Sequence, residues 1–174
     1  QAAQQIGPRD SLRPHTCATV IGLLASTGLR IGETLRLTRA DVQWATSPAL
    51  VHIREPKFHK SRFVPLHPTT AAQLQRYSTL RTALCYDALA DMFFVSEQGD
   101  ALTYHAISTC FAQLCQQLGL WPTQGGRRPT LHALRHAFAI ERIRRWYQEG
   151  VDVQALLPHL SVYLGHVRPQ ESYW

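Results

Sequence analysis

The segment Ser26-Thr27-Gly28-Leu29-Arg30-Ile31-Gly32-Glu33 breaks one helix at a glycine and opens the next at an arginine. Upstream, His15 to Thr27 carries Val20, Leu23, Leu24 and, past Gly28, Leu29, the spacing of a helix with one face in a core. Downstream, Ile31 to Leu37 predicts a second, short helix. A helix start favours an anion, because free N–H groups and the positive end of the dipole point outward there, and Arg30 would add two directed donors. The competing reading is a surface arginine paired with Glu33 at i, i+3, a contact worth only about 0.2–0.5 kcal/mol that needs no function. Within this segment alone, that plainer reading is the stronger.

Around it lies a chain of 174 residues, 45% hydrophobic and 17% charged, enough for one core and too little for two large domains. Residues 1–13, with Gly7 and Pro8, read as a linker, and residues 14–174 as the domain. The net charge of +6 points to a polyanionic partner. Of the 18 basic residues 16 are arginine, whose planar fork suits phosphate oxygens better than the point charge of lysine. The longest apolar stretch, near Ala18 to Ala25, falls short of the roughly 20 residues a bilayer span needs. With no leader pattern at the start, the expectation is a cytoplasmic protein without membrane contact. Cys17, Cys85, Cys110 and Cys115 show no CxxC spacing, so neither a zinc site nor a disulfide framework is expected, and Cys110 and Cys115 read as small buried hydrophobes.

The remaining segments predict an α+β, mostly helical fold. Asp41 to Trp44, Ala49 to Arg54 and Arg62 to Leu66 form a small antiparallel three-stranded sheet, with Lys57 and Lys60 in its last turn. Ala71 to Leu84 is a helix, Met92 to Val95 a short strand, and Thr103 caps a helix bearing Ile107, Phe111, Leu114, Cys115 and Leu118. A Gly- and Arg-rich loop, Pro122 to Pro129, leads into two last helices, Leu131 to Tyr147 and Val153 to Leu164, the second closing at Gly165.

Further residues stand out, each beside a plainer reading. Lys57 and Lys60 could supply a proton from a mobile turn, or simply keep a hairpin soluble. His132 and Arg135 stand at i and i+3 on one helix face, just after Arg127 and Arg128; a buried histidine satisfied by backbone is an even alternative for His132. His136 beside them reads as structural and directed elsewhere. Arg142, Arg144 and Arg145 read as a solvated basic face, and nothing local marks His166, which follows Leu164-Gly165.

Taken in order, these segments resemble the catalytic domain of the tyrosine recombinase, or phage integrase, family. Thr27 to Glu33 is similar to the first arginine box, and Leu37-Thr38-Arg39-Ala40-Asp41-Val42 follows it as in the family. Lys57 to Leu66 is similar to the lysine hairpin, Leu131 to Ala139 to the HxxR box, and Leu164-Gly165-His166 to the last histidine box. Each box alone is weak; the four in order carry the resemblance. Ala133 and Ala137 depart from residues that are often polar in the HxxR box. The family's spacing also places the nucleophilic tyrosine one residue beyond Trp174, so that Tyr173 is the aromatic preceding it and only a substitute nucleophile. The resemblance therefore implies a catalytic domain truncated before its nucleophile, with residues 1–13 the end of a missing core-binding domain.

The resemblance implies DNA strand cleavage and rejoining through a 3'-phosphotyrosyl intermediate, without a cofactor or metal. Arg30 and Arg135 would clamp the phosphate, His166 would add a hydrogen bond, Lys57 would be the general acid and His132 the base or orienting group. Lys60, Arg62, Arg127, Arg128, Arg142 and Arg145 would contact DNA. The implied partner is double-stranded DNA, held by a homotetramer, although a fragment of this kind would be monomeric. The alternatives are a degenerate integrase that binds DNA without cutting and, ranked lower, an enzyme similar to type IB topoisomerases.

Overall fold

In the computed structural model, residues 11–54, 61–85, 91–122 and 125–165 are described. Helix α1, Leu12–Thr27, is the central element. It begins before the expected His15, since Pro14 lies in the first turn, where a missing N–H breaks no helical hydrogen bond. Its buried positions include Leu12, Cys17, Val20, Leu23, Leu24 and Thr27, wider than the single face expected. Three helices pack on it, which explains that width: α3 (Pro68–Leu84), α4 (Tyr104–Gln117) and α5 (Leu131–Glu149). Thr27, buried with its hydroxyl, returns a hydrogen bond to Leu23 O at 2.6 Å.

Between α1 and the sheet lies α2, Ile31–Leu35, a single turn that ends two residues before the expected Leu37. Leu37 leaves the helix because it is buried and its carbonyl accepts from Phe93 N at 2.6 Å. The expected strand Met92 to Val95 accordingly exists only as isolated bridges, Thr38 with Met92 and Val95 with Ala101. Phe93 and Phe94 turn inward instead and pack around Tyr77 of α3.

The three-stranded antiparallel sheet is present, with β1 (Val42–Gln43), β2 (Leu50–Ile53) and β3 (Arg62–Pro65) in that order. Its register aligns Val42, Val51 and Val64, all buried, in one row across the core face. His52 opposite Phe63 stacks on the outer face. Because side chains alternate along a strand, Arg62, opposite Ile53, falls on the same face as Val64.

The last two helices form a smaller core. Asp152 caps α6, Val153–Leu164, which ends at Gly165 as the sequence predicts. Ala139, Leu160 and Leu164 are buried there against Phe138, Trp146 and Tyr163. The cysteine expectation needs correction: Cys17 on α1 and Cys110 on α4 are paired as a disulfide. Helix packing brings together residues 93 positions apart, which no local spacing could reveal. Cys85 and Cys115 are free, and Cys115 is buried as expected. Among the described residues no helix is long and apolar enough to cross a membrane.

Gly28 adopts φ 65°, and a Cβ there would stand 2.5 Å from Phe138 Cδ1. Gly28→Ala therefore adds left-handed strain of about 1–2 kcal/mol to the displacement of Phe138. Urea unfolding should show a loss of at least that size, whereas Gly22→Ala, where a Cβ would meet nothing within 4 Å, should not lower stability.

Candidate active site

Arg30, Arg62 and Arg135 come from three separate elements and converge on the end of α6. Arg62 Nε donates to Tyr163 O at 2.8 Å, Arg135 Nη2 to Leu164 O at 2.6 Å, and Arg30 Nη2 to Gly165 O at 3.0 Å. Three consecutive carbonyls, left without helical partners at a C-terminus, each receive a guanidinium donor. Arg135 also donates from Nη1 to Gly28 O at 2.7 Å, tying α5 to the glycine that ends α1. Gly165 makes the approach possible: its φ is 69°, and a Cβ would lie 2.8 Å from Arg62 Nη1.

Glu33, only 4% exposed, is the counter-charge. Its Oε2 accepts from Arg30 N at 2.9 Å and its Oε1 from Arg30 Nη1 at 3.2 Å. Arg62 Nη2 lies 3.0 Å from both oxygens. The plain pairing of Arg30 with Glu33 thus exists, yet it is one edge of a buried network, and Arg30 keeps 36% of its side chain exposed. Burial alone would push the Glu33 carboxyl up, but hydrogen bonds and charge from Arg62, then the backbone and charge of Arg30, outweigh it and hold the group below its ordinary range. Helix α2 is a single turn, so Arg30 owes its place to Glu33 and Gly165 O, and the dipole contributes little.

Arg135 is 2% exposed; burial first, then Arg30, outweigh the attraction of Glu33 and bring it down to about 10, still protonated at neutral pH. His132, one turn earlier on α5, is exposed, so the buried-histidine reading does not hold. It shares a cleft of about 360 Å³ with Arg30, Glu33, Arg36 and Arg135. The ring of His136 meets it edge-on at 4.5 Å, contrary to the expectation that His136 is directed elsewhere; residues i and i+4 stack on one helix face. Burial, then His136, Arg135 and Arg30, lower the His132 pKa and keep the imidazole neutral at pH 7. Tyr163, stacked on Phe138, is pushed up to about 12 by burial and stays protonated.

The other sequence candidates are distributed differently. Arg62 belongs to the interior network and not to a DNA-facing surface, because strand alternation turns it to the core face. The same alternation is visible in the sequence, where Arg62, Val64 and Leu66 share one parity. Glu33 and Arg36 are the residues that sequence reasoning left out of the site; for Glu33 the i, i+3 spacing from Arg30 was the available signal. Arg127 and Arg128 are exposed, the Arg128 guanidinium lying 4.2 Å over Trp121. Arg142 and Arg145 border a separate groove with His67 and Phe138, outside the His132 cleft. Arg145 shares Glu141 with Arg144. Lys57, Lys60, His166 and Tyr173 lie outside the described residues.

Glu33 titrates lower folded than unfolded, so its contribution to stability is complete above about pH 4.5 and lost as pH falls through the lower folded value. Glu33→Gln should flatten that limb of a stability–pH curve and lower stability at neutral pH by about 3–5 kcal/mol, as expected when one member of a buried ion pair is removed. Chemical denaturation from pH 3 to 7 is the measurement, with an unchanged acid limb the contrary result.

With this geometry in place, kinship is informative. The profile of the phage integrase family matches residues 6–171. Protein y4rE of Sinorhizobium fredii (strain NBRC 101917 / NGR234), named as an integrase/recombinase, is 44% identical over 98% of this chain and 54% of its own length. The tyrosine recombinase XerC of Chlamydia caviae is 32% identical over 82% of this chain and 43% of its own length. The chain thus spans about half the length of these relatives. Among solved structures, the recombinase XerH bound to a palindromic difH substrate superposes with a TM-score of 0.75 at 23% identity, covering 98% of this chain and 44% of that one, a likeness of fold. The converging arginines, the HxxR helix and the three-stranded sheet therefore sit in a shared architecture, and the chain belongs to the phage integrase family of tyrosine recombinases.

Proposed function

We propose that this chain is the catalytic domain of a site-specific DNA recombinase that cleaves and rejoins strands through a 3'-phosphotyrosyl intermediate. The observation that carries this reading is the meeting of Arg30, Arg135 and an exposed, neutral His132 in one cleft. A phosphodiester under attack gathers negative charge on its non-bridging oxygens, and fixed guanidinium donors in a partly desolvated site stabilise that charge.

In the proposed step, a tyrosine oxygen attacks phosphorus, its proton passes to His132, and the bond from phosphorus to the 5'-oxygen breaks. Lys57 protonates the departing 5'-oxygen, and His166, directly after Gly165, adds a hydrogen bond to the phosphate. The nucleophile is assigned one residue beyond Trp174, with Tyr173 as the alternative. The ester conserves the bond energy, so rejoining reverses the step and calls for no cofactor. Lys60, Arg127, Arg128, Arg142 and Arg145 hold double-stranded DNA through its phosphates, and the working unit is a homotetramer on DNA.

The deciding experiment incubates the parent polypeptide with nicked suicide DNA from its own genetic element and maps any denaturant-resistant adduct by mass spectrometry. An adduct on the tyrosine after Trp174 is the expected result; one on Tyr173 moves the nucleophile. Salt-sensitive binding to a verified site without any adduct makes the protein a DNA binder. Lys57→Ala should keep DNA affinity while slowing cleavage by roughly 100-fold or more, and an unchanged rate would remove Lys57 from that role. Because the His132 pKa is lowered, the acid limb of cleavage at subsaturating protein should lie below the ordinary histidine value of 6.5, and His132→Gln should abolish that limb. Affinity should fall steeply with salt, with Arg128→Ala reducing the log–log slope by about 0.9.

A further inference from the structure

We propose that Arg62 is a positioning residue for the phosphate clamp, acting through Glu33 on Arg30 and through Tyr163 O on the end of α6; the inference rests on the recombinase reading above. Arg62 reaches neither the cleft of His132 nor an outer surface, since it lies on the core face of β3. Its side chain nevertheless makes more hydrogen bonds than that of Arg30 or Arg135: Nε to Tyr163 O at 2.8 Å and Nη2 to both oxygens of Glu33 at 3.0 Å.

Two consequences follow from that placement. Glu33 is a buried carboxylate and requires compensation within the protein. With Arg62 supplying donors to both oxygens, Arg30 meets Glu33 through one side-chain nitrogen and its backbone N–H, leaving its guanidinium partly exposed in the cleft. Without Arg62, Arg30 becomes the sole cation on that carboxylate and is drawn toward it, away from a phosphate. The second consequence concerns α6. Tyr163 O loses its donor, and this carbonyl lies two residues before Gly165, the acceptor of Arg30 Nη2. Both effects shift the same guanidinium, and a displacement near 1 Å from productive geometry costs about 100-fold in rate.

The test compares the parent polypeptide with its Arg62→Met and Arg62→Lys variants in single-turnover cleavage of suicide DNA. Arg62→Met keeps the length of the side chain without its donors and should bind DNA within about threefold of the parent, yet cleave about 10–100-fold more slowly at saturating protein. Arg62→Lys keeps the charge without the fork and should recover part of the rate. A second substrate carries a methylphosphonate at the scissile position, where a methyl replaces one non-bridging oxygen and removes the charge that the clamp neutralises. On it the defect of Arg62→Met should shrink to within about threefold. A merely structural defect would slow both substrates alike, and that result overturns the proposal, as does a full rate on the ordinary phosphodiester. Should Arg62→Met fail to unfold cooperatively, Arg62→Lys carries the same two-substrate comparison. Failure of the parent polypeptide itself to form an adduct would count against the recombinase reading, which separates the two claims.

Discussion

A single buried carboxylate permits three arginines to stand together. Guanidinium groups repel one another strongly where solvent is excluded, and Glu33 offsets that repulsion for Arg30 and Arg62 through contacts between 2.9 and 3.2 Å. Arg135 makes no hydrogen bond to Glu33 and feels it only through space, and its donors go to the oriented carbonyls of Gly28 and Leu164. Its depressed pKa reflects burial first and the neighbouring charges of Arg30 and Arg62 second. Three guanidinium groups against one carboxylate leave the cluster net positive, and the proposed role as a phosphate clamp rests on that excess.

The same contacts hold the fold together. The end of α6 is fastened by guanidinium donors from β3, α5 and the α1–α2 junction as well as by its apolar packing on α5, so the arginines proposed to form and position the phosphate clamp are also structural fasteners. Single substitutions here touch site and stability together, and effects within the network will not add. Gly28 and Gly165 complete the arrangement, one giving its carbonyl to Arg135, the other admitting Arg62 and Arg30 to close approach.

Outside the cluster the basic surface is less uniform than its composition suggests. Arg144 and Arg145 share Glu141, an exposed arrangement of the kind that contributes little to stability. Arg128 is different, because its guanidinium lies over the face of Trp121, a cation–π contact that holds it at the surface.

Much of this protein could be read from local pattern. Helical periodicity and caps located α4 and α6, alternation located the sheet, and the ordered boxes around Arg30 and His132–Arg135 pointed to the family, because these signals depend only on residues a few positions apart. Other features depended on contacts across the chain. The strand expected at Met92 to Val95 gave way to the pull of Tyr77 on two phenylalanines, and Cys17 met Cys110 only through helix packing. His132 could be placed on a helix face from spacing, but its exposure depended on what lay opposite. Arg62 shows the division most clearly. Its parity with Val64 was written in the sequence, whereas its partners, Glu33 and Tyr163 O, are separated from it by 29 and 101 residues. Most helices and the sheet follow from residues a few positions apart, because periodicity, caps and alternation are local; which charges share one carboxylate followed from packing, because that is a matter of distances in space.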